Sequence, residues 1–381
     1  MADGSAIEWT SATWNPVAGC SILSPGCTHC YAMGMAARIE KMQAAQGKPT
    51  PYAGLTQPSK AGPVWNGRMA VASDETLTQP LRWKRPRRIF VNSMSDLFHE
   101  GVADETIDRI FAVMALCPQH TFQVLTKRAK RMREYFAERW QGTPAQRYKV
   151  GNQIFDMPAG GETGREHQVE AACEDILRLV PAMIDTDNDA LWDAKGNLKI
   201  RQYKWPLPNV WLGVSTEDQA RADERIPHLL ATPAAKRFIS AEPLLGAINI
   251  NDAMWAGEDD PTQNLNAEIN WVIAGGESGP RARPMHPDWA RSLRDQCTAA
   301  GVPFFFKQWG EWAPGSLFPA SADGMLAGCR YGEFHRGDDE WVDDCLCSEG
   351  AHGAQMFRVG KKAAGAELDG KMHREFPGGS T

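Results

Sequence analysis

The sequence predicts an α/β fold, a partial or complete parallel (β/α) TIM-like barrel with an insertion and a C-terminal extension. Three observations carry that prediction. Short apolar runs alternate with segments of helical periodicity, the grammar of βαβ units. The alternation recurs six or seven times with no repeat of sequence, so what repeats is architecture. Nearly every run ends on a polar or charged residue, as barrel strands do at the carboxyl ends where active sites form.

Taken in order, a Ser-, Pro- and Gly-rich loop carries three cysteines, and the Ala- and Met-rich residues 32–46 after it suit a helix. Residues 48–80 hold several Pro and Gly and read as an irregular connection. The first apolar run is 88–91, followed by a helix with Ile107, Ile110, Phe111 and Met114 at helical spacing and Asp104 as its N-cap. A second run, 121–125, leads into a basic helix to about residue 140. Four more runs follow at 210–214, 237–240, 271–274 and 303–306, with helices ending at Leu230 and spanning about 287–300. Residues 141–206 break the rhythm and are predicted to be an insertion with one helix near 166–184. The organisation is therefore 1–140 as the first part of the barrel, then the insertion, 207–310 as the second part, and 311–381 as the extension.

The ends of the runs supply Asn92, Ser93 and Asp96, then Thr126 and Lys127, Ser215 and Glu217, Glu242, Glu277 and Ser278, and Lys307 with Gln308. Any one of them alone reads as a strand terminator or helix cap. Together they describe a polar mouth over an apolar barrel. The turn Gly275-Gly-Glu-Ser-Gly279 can cradle a phosphate or carboxylate, or serve as an ordinary tight βα turn, and no Gly-Lys-Ser/Thr makes it a Walker loop.

The chemistry is concentrated in Gly19-Cys20-Ser-Ile-Leu-Ser-Pro-Gly-Cys27-Thr-His-Cys30-Tyr31, a C-x6-C-x2-C-Y run. Three thiolates from one such loop can hold three irons of a cubane cluster and leave the fourth iron to a non-protein ligand. Zinc is the alternative, with Cys329, Cys345, Cys347 or His29 completing four ligands, and a redox Cys-x-x-Cys is the third reading. The isolated Cys117, Cys173 and Cys297 read as small buried apolar residues. Nine cysteines, an odd number in a chain of 381 residues, fit a reducing cytosol better than a disulfide framework. No secretory signal and no membrane-spanning apolar run is visible, so a cytoplasmic protein is expected.

A formal charge of −6 argues against a general polyanion binder, yet a local basic patch is enough for nucleic acid. Two stretches qualify: Arg82, Lys84, Arg85, Arg87 and Arg88, then Lys127, Arg128, Lys130, Arg131 and Arg133. Either can equally be a solvated surface. Among 14 tryptophans, Trp65, Trp83 and Trp309 are candidates to wedge or stack against bases.

These residues resemble the radical S-adenosylmethionine (SAM) superfamily. Closer still, they resemble a phage-associated three-cysteine-motif family without a settled function. That likeness spans nearly the whole chain: Ile7-Glu-Trp-Thr10, Thr13-Trp-Asn-Pro16, the cysteine loop, Ala274-Gly-Gly-Glu-Ser-Gly279, Lys307-Gln-Trp-Gly310, Val359-Gly-Lys-Lys-Ala-Ala-Gly365, Leu368-Asp-Gly370 and Phe376-Pro377. The superfamily's usual first cysteine gap is three residues, against six here, and its Gly-Gly-Glu follows an early strand rather than a late one. A distant likeness to spore photoproduct lyase shows in Ser95-Asp96 and Thr126-Lys127 after successive strands.

The resemblance implies a [4Fe–4S] cluster on Cys20, Cys27 and Cys30, with SAM completing the unique iron. It implies Tyr31 beside the cluster or adenine, and Lys127 near the SAM carboxylate. Ser93, Asp96, Ser215, Glu217 and Glu277 fall in the cofactor-binding set. A flavodoxin- or ferredoxin-like reductant is implied, and a nucleic acid or nucleotide substrate is expected. The alternatives are a radical SAM enzyme on a peptide or small metabolite, and a zinc-stabilised nucleic-acid-binding module.

Overall fold

The computed structural model describes residues 5, 7–140, 146–150, 153–157, 163–180, 205–251, 268–318, 329–334, 341–343 and 354–378. Seven strands share one sheet: β1 (Ala12–Trp14), β2 (Arg88–Val91), β3 (Thr121–Thr126), β4 (Val210–Ser215), β5 (Lys236–Ala241), β6 (Trp271–Gly275) and β7 (Phe304–Gln308). They lie in chain order and every neighbouring pair is parallel. Unreversed order is that of a curled half-barrel, not of a doubly wound sheet.

Six of the seven strands stand where apolar runs predicted them. The exception is β1, which the sequence reading passed over because three residues, Ala-Thr-Trp, make no run. Tertiary pairing creates it: Ala12, Thr13 and Trp14 face Ile89, Phe90 and Val91.

The longer helices among the described residues are α1 (Tyr31–Ala45), α2 (Asp104–Ala115), α3 (Ala129–Ala137), α4 (Arg165–Leu179), α5 (Gln219–Leu230) and α6 (Pro287–Ala299). Ile107, Ile110, Phe111 and Met114 of α2 are buried as their spacing predicted. Asp104 is not the cap; Ala103 holds that position, and Asp104 opens the helix as an ion-pair partner of Arg131 and Arg165. A carboxylate there also favours the helix dipole. Asp218 caps α5 by accepting from the Arg221 backbone N–H at 2.9 Å.

The predicted helix in the insertion is α4, shorter at its C-terminal end than 166–184. It packs on α2, where Cys173 donates to the Ala112 carbonyl at 3.7 Å. Most of the rest of 141–206, and 319–328, 335–340 and 344–353 of the predicted extension, with Cys345 and Cys347, lie outside the described residues. Within 311–381, Trp312–Pro314, Gln355–Arg358, Tyr331–Phe334 and Trp341–Asp343 form a small antiparallel sheet in that order. Its Ala313, Phe334 and Met356 join the main core. The connection 48–80 contains a hairpin, Thr56–Ser59 against Gly62–Trp65.

The two faces of the sheet are filled differently. One face sends Ile89, Val91, Val124, Leu212, Ile239, Val272 and Phe306 into the core shared with the helices. The other sends Phe90, Trp211, Phe238, Trp271, Ile273 and Phe305 into a separate aromatic cluster with Trp9. Ile7 and Phe376 pack against that cluster, so segments near both ends of the chain plug the interior of the half-barrel. The plug is pinned by the Trp271 indole N–H, which donates to the Glu375 carbonyl at 2.8 Å. Cations stack on its rings: Arg88 sits 3.9 Å from the Phe376 centroid and Arg374 sits 4.5 Å from Phe305. Among the described residues, no helix is long and apolar enough to cross a membrane.

Candidate functional site

The cysteine loop leaves the end of β1 and returns into α1. Its entry requires a glycine: Gly19 has φ 96°, and a Cβ there would lie 2.2 Å from the Arg68 carbonyl oxygen. Gly19 pairs with Ser95, whose hydroxyl donates to the Val17 carbonyl at 2.8 Å. Pro25–Cys27 makes a single 3₁₀ turn with Pro as its first residue. At the exit, the Tyr31 hydroxyl donates to the Ser93 carbonyl at 2.8 Å. The loop is thus stapled to the segment that follows β2.

Strand register explains why distant side chains meet it. Thr126, Val214, Ser215, Ser240, Ala241 and Ala274 are paired across β3 to β6, so these strands end level with one another. Just past those ends, Glu217 is fully buried between two cations, Lys127 at 3.2 Å and Arg225 at 3.0 Å. Its other oxygen accepts from the Gly26 backbone N–H at 3.3 Å, and a Cβ on Gly26 would lie 3.0 Å from the Glu217 carboxyl carbon. Burial alone would raise this carboxyl, but Lys127 and Arg225 overcome it and hold it down at about 2.

A second clamp forms past β6. Glu277 accepts from His29 Nδ1 at 3.1 Å and from Arg283 at 2.6 Å, and Arg283 also donates to the Pro25 carbonyl at 3.0 Å. Burial opposes ionisation of Glu277, and the Arg283 hydrogen bonds outweigh it, so its carboxyl is lowered. A third clamp is Asp96, which accepts from the Thr126 hydroxyl at 2.7 Å, the Lys127 backbone N–H at 3.0 Å and Arg128 at 3.1 Å. Arg128 goes on to Ser21 Oγ at 2.7 Å and Cys20 Sγ at 3.8 Å.

Cys20, Cys27 and Cys30 are all half-buried. Burial, then Asp96, pushes the Cys20 thiol up to about 12 against the pull of Arg128, and burial raises Cys30. A metal bound by these thiols would have to displace their protons. Among the described residues, no group of three or more His, Cys, Asp or Glu side chains could hold a metal ion. An all-thiolate set on one loop nevertheless suits a cubane, which takes one sulfur at each of three irons instead of converging four ligands on one ion.

Of the residues singled out in the sequence, Tyr31, Ser93, Asp96, Lys127, Glu217 and Glu277 contact the cysteine loop or the groups that clamp it. Lys127 and Glu217 are paired with each other. Ser215 is buried beside them and offers its carbonyl to Arg225 at 2.8 Å. Glu242 pairs with Lys307, and Ser278 with Gln308, further along the same rim. Burial raises the Tyr31 phenol, assisted by Cys30 and Glu242, although the residue is 58 % exposed. Asn92, just past β2, has φ 61°, and both polar atoms of its buried amide lack a partner. That is the kind of group a ligand at the mouth satisfies.

Sequence reading missed Arg225 and Arg283, and it grouped Arg128 with a basic stretch where the structure pairs it with Asp96 beside Cys20. An Arg225 on the buried stripe of α5, with Ala222, Ile226 and Leu229, was the available signal. Several members of the two basic stretches are already engaged by other side chains of the chain. Arg88 stacks on Phe376, Arg87 lies 4.8 Å over Trp83, Arg128 is buried on Asp96, and Arg131 pairs with Asp104. Residues 82–87 also precede β2 and Arg88 opens it, so they sit at the opposite end of the sheet from the cysteines. Trp309 is buried, its indole donating to the Glu367 carbonyl at 2.8 Å, and Trp65 is buried as well. Neither is placed to wedge into a duplex.

The family described as "Protein of unknown function (DUF5131)" matches residues 4–377. No curated protein and no solved structure matches the chain.

Proposed function

The chain belongs to that family of proteins of unknown function, and from this premise we propose that it is a radical SAM enzyme. The observation that carries the reading is the seating of the cysteine loop. Gly26, His29 and the Pro25 carbonyl hold it across the carboxyl ends of a parallel half-barrel, where such folds place their chemistry. Cys20, Cys27 and Cys30 would hold three irons of a [4Fe–4S] cluster, and Lys127 would face SAM, with Ser215, Glu217 and Glu277 buried behind the rim. When bound, the cluster and SAM supply an electron and a sulfonium whose reductive cleavage yields methionine and a 5′-deoxyadenosyl radical.

The protein's own contribution is geometric and electrostatic. Glu217 pairs with both Lys127 and Arg225 while accepting from the Gly26 N–H, which ties the loop to the rim. Asp96 orders the start of α3 by accepting from Lys127 N–H and from Arg128. The Tyr31 hydroxyl fixes the ring beside Cys30 and leaves it exposed for stacking. A nucleotide or nucleic acid is the substrate class we favour, because that ring and Lys130, in the first turn of α3, stand at the same end of the sheet.

Protein purified and reconstituted without oxygen should contain iron and sulfide, absorb broadly in the visible, and release 5′-deoxyadenosine from SAM under dithionite. A colourless protein holding stoichiometric zinc overturns the reading. Cys27→Ala should remain folded and lose its iron.

A further inference from the structure

Resting on that reading, we propose that Arg128 and Asp96 form a positioning pair of opposite sign that sets the cluster's reduction potential through Cys20. Arg128 is buried and its guanidinium is fixed on several sides. Nη1 donates to Asp96 at 3.1 Å and to Cys20 Sγ at 3.8 Å, Nη2 to Ser21 Oγ at 2.7 Å, and Nε to Glu100 at 2.8 Å. This occupies the planar fork that makes Arg specific where Lys is not.

The three sulfurs are not equivalent in this respect. Cys20 receives a charged donor, whereas Cys27 Sγ meets the neutral Ser24 hydroxyl at 3.8 Å. Asp96 accepts from the same Nη1 that reaches Cys20 Sγ, so a carboxylate stands directly beside the cation at that sulfur. It is held independently by the Thr126 hydroxyl, the Lys127 N–H and the Phe98 N–H at 3.0 Å, so it stays when Arg128 is replaced. A fixed cation beside a cluster sulfur favours the added electron, and a fixed carboxylate disfavours it.

The test is a spectroelectrochemical titration of the reconstituted full-length protein, with dithionite as the terminal reductant and cluster absorption as the readout. Arg128→Gln removes the cation and leaves the anion. It should shift the one-electron equilibrium at least tenfold toward the oxidised cluster, about 59 mV. Asp96→Asn should shift it the other way. Arg128→Lys, which keeps the charge and loses the fork, should fall between Arg128→Gln and the wild type. Arg131→Gln on the same helix, where Arg131 pairs with Asp104, should leave the potential unmoved.

A purely structural role would move both Arg128→Gln and Asp96→Asn in one direction, toward a lost cluster. If Arg128→Gln does not fold, the sign of Asp96→Asn together with Arg128→Lys still decides. An intact wild-type cluster with unshifted variants sinks this inference alone. A wild type that takes up no cluster brings down the functional reading with it.

Discussion

In the amino half of the sheet, Trp9, Trp211, Phe238, Trp271 and Phe376 fill the concave face with stacked and edge-on rings. At the carboxyl end of the same strands, Glu217, Glu277 and Asp96 are buried among Lys127, Arg225, Arg283 and Arg128. The first region gains stability from apolar area and dispersion, with cations only as lids over the rings. The second spends desolvation energy to hold charges out of water, and each charge is paired because an unpaired one would be intolerable. The contrast separates what holds the fold from what holds the loop: damage to the rings should unfold the protein, and damage to the clamps should loosen the cysteines first.

The largest effect is expected in the aromatic plug. Trp271→Ala should cost about 3–5 kcal/mol by denaturant unfolding, because it removes a fully buried ring from among Trp9, Trp211, Phe238, Phe305 and Phe376. A loss under about 1 kcal/mol would show that the plug is not what secures the half-barrel.

Next comes an acid transition assigned to Glu217. Its carboxyl is depressed from 4.5 to about 2, so its stabilisation is complete above the unfolded value and disappears as pH falls through that window. The contribution is about 3 kcal/mol, and Glu217→Gln should lack this part of the pH dependence when unfolding is followed from pH 6 downward, about the range over which such carboxylates titrate. Equal pH slopes in the two proteins would mean the clamp contributes nothing.

Gly26→Ala should be milder, about 1–3 kcal/mol, with a disproportionate loss of iron uptake. The new methyl would press on the Glu217 carboxyl and the Lys127 ammonium, 3.0 and 3.3 Å away, and so lift the loop off its seat. Undiminished iron with the same stability loss would detach the loop from the clamp. Smallest of all, Lys130→Ala should change stability by less than about 0.5 kcal/mol, since its 3.9 Å pair with Glu134 is exposed. Its effect should appear instead as weaker, less salt-dependent binding of single-stranded nucleic acid.

The sequence made the barrel legible because strand and helix periodicities are local. Val210–Ser215 and Lys236–Ala241 announce themselves as apolar runs, and the polar residues after them mark the rim. Ala12–Trp14 was illegible because its extended conformation is imposed by pairing with β2. The cysteine loop was legible from three cysteines at close spacing. The uses of individual cations were not: Arg88 and Arg128 look alike in a basic stretch, yet one lies over Phe376 and the other beside Cys20.

From the chain alone came the alternation of elements, the three-cysteine loop and the ring of polar strand ends, since each depends on residues within a few positions of one another. Only the tertiary structure decided which of these polar groups close on the loop. Gly26 and Glu217 are 191 positions apart, and His29 and Glu277 are 248. Their contacts exist because parallel register brings successive strand ends level. A slip of one residue would turn those side chains to the other face, and no local pattern encodes that register.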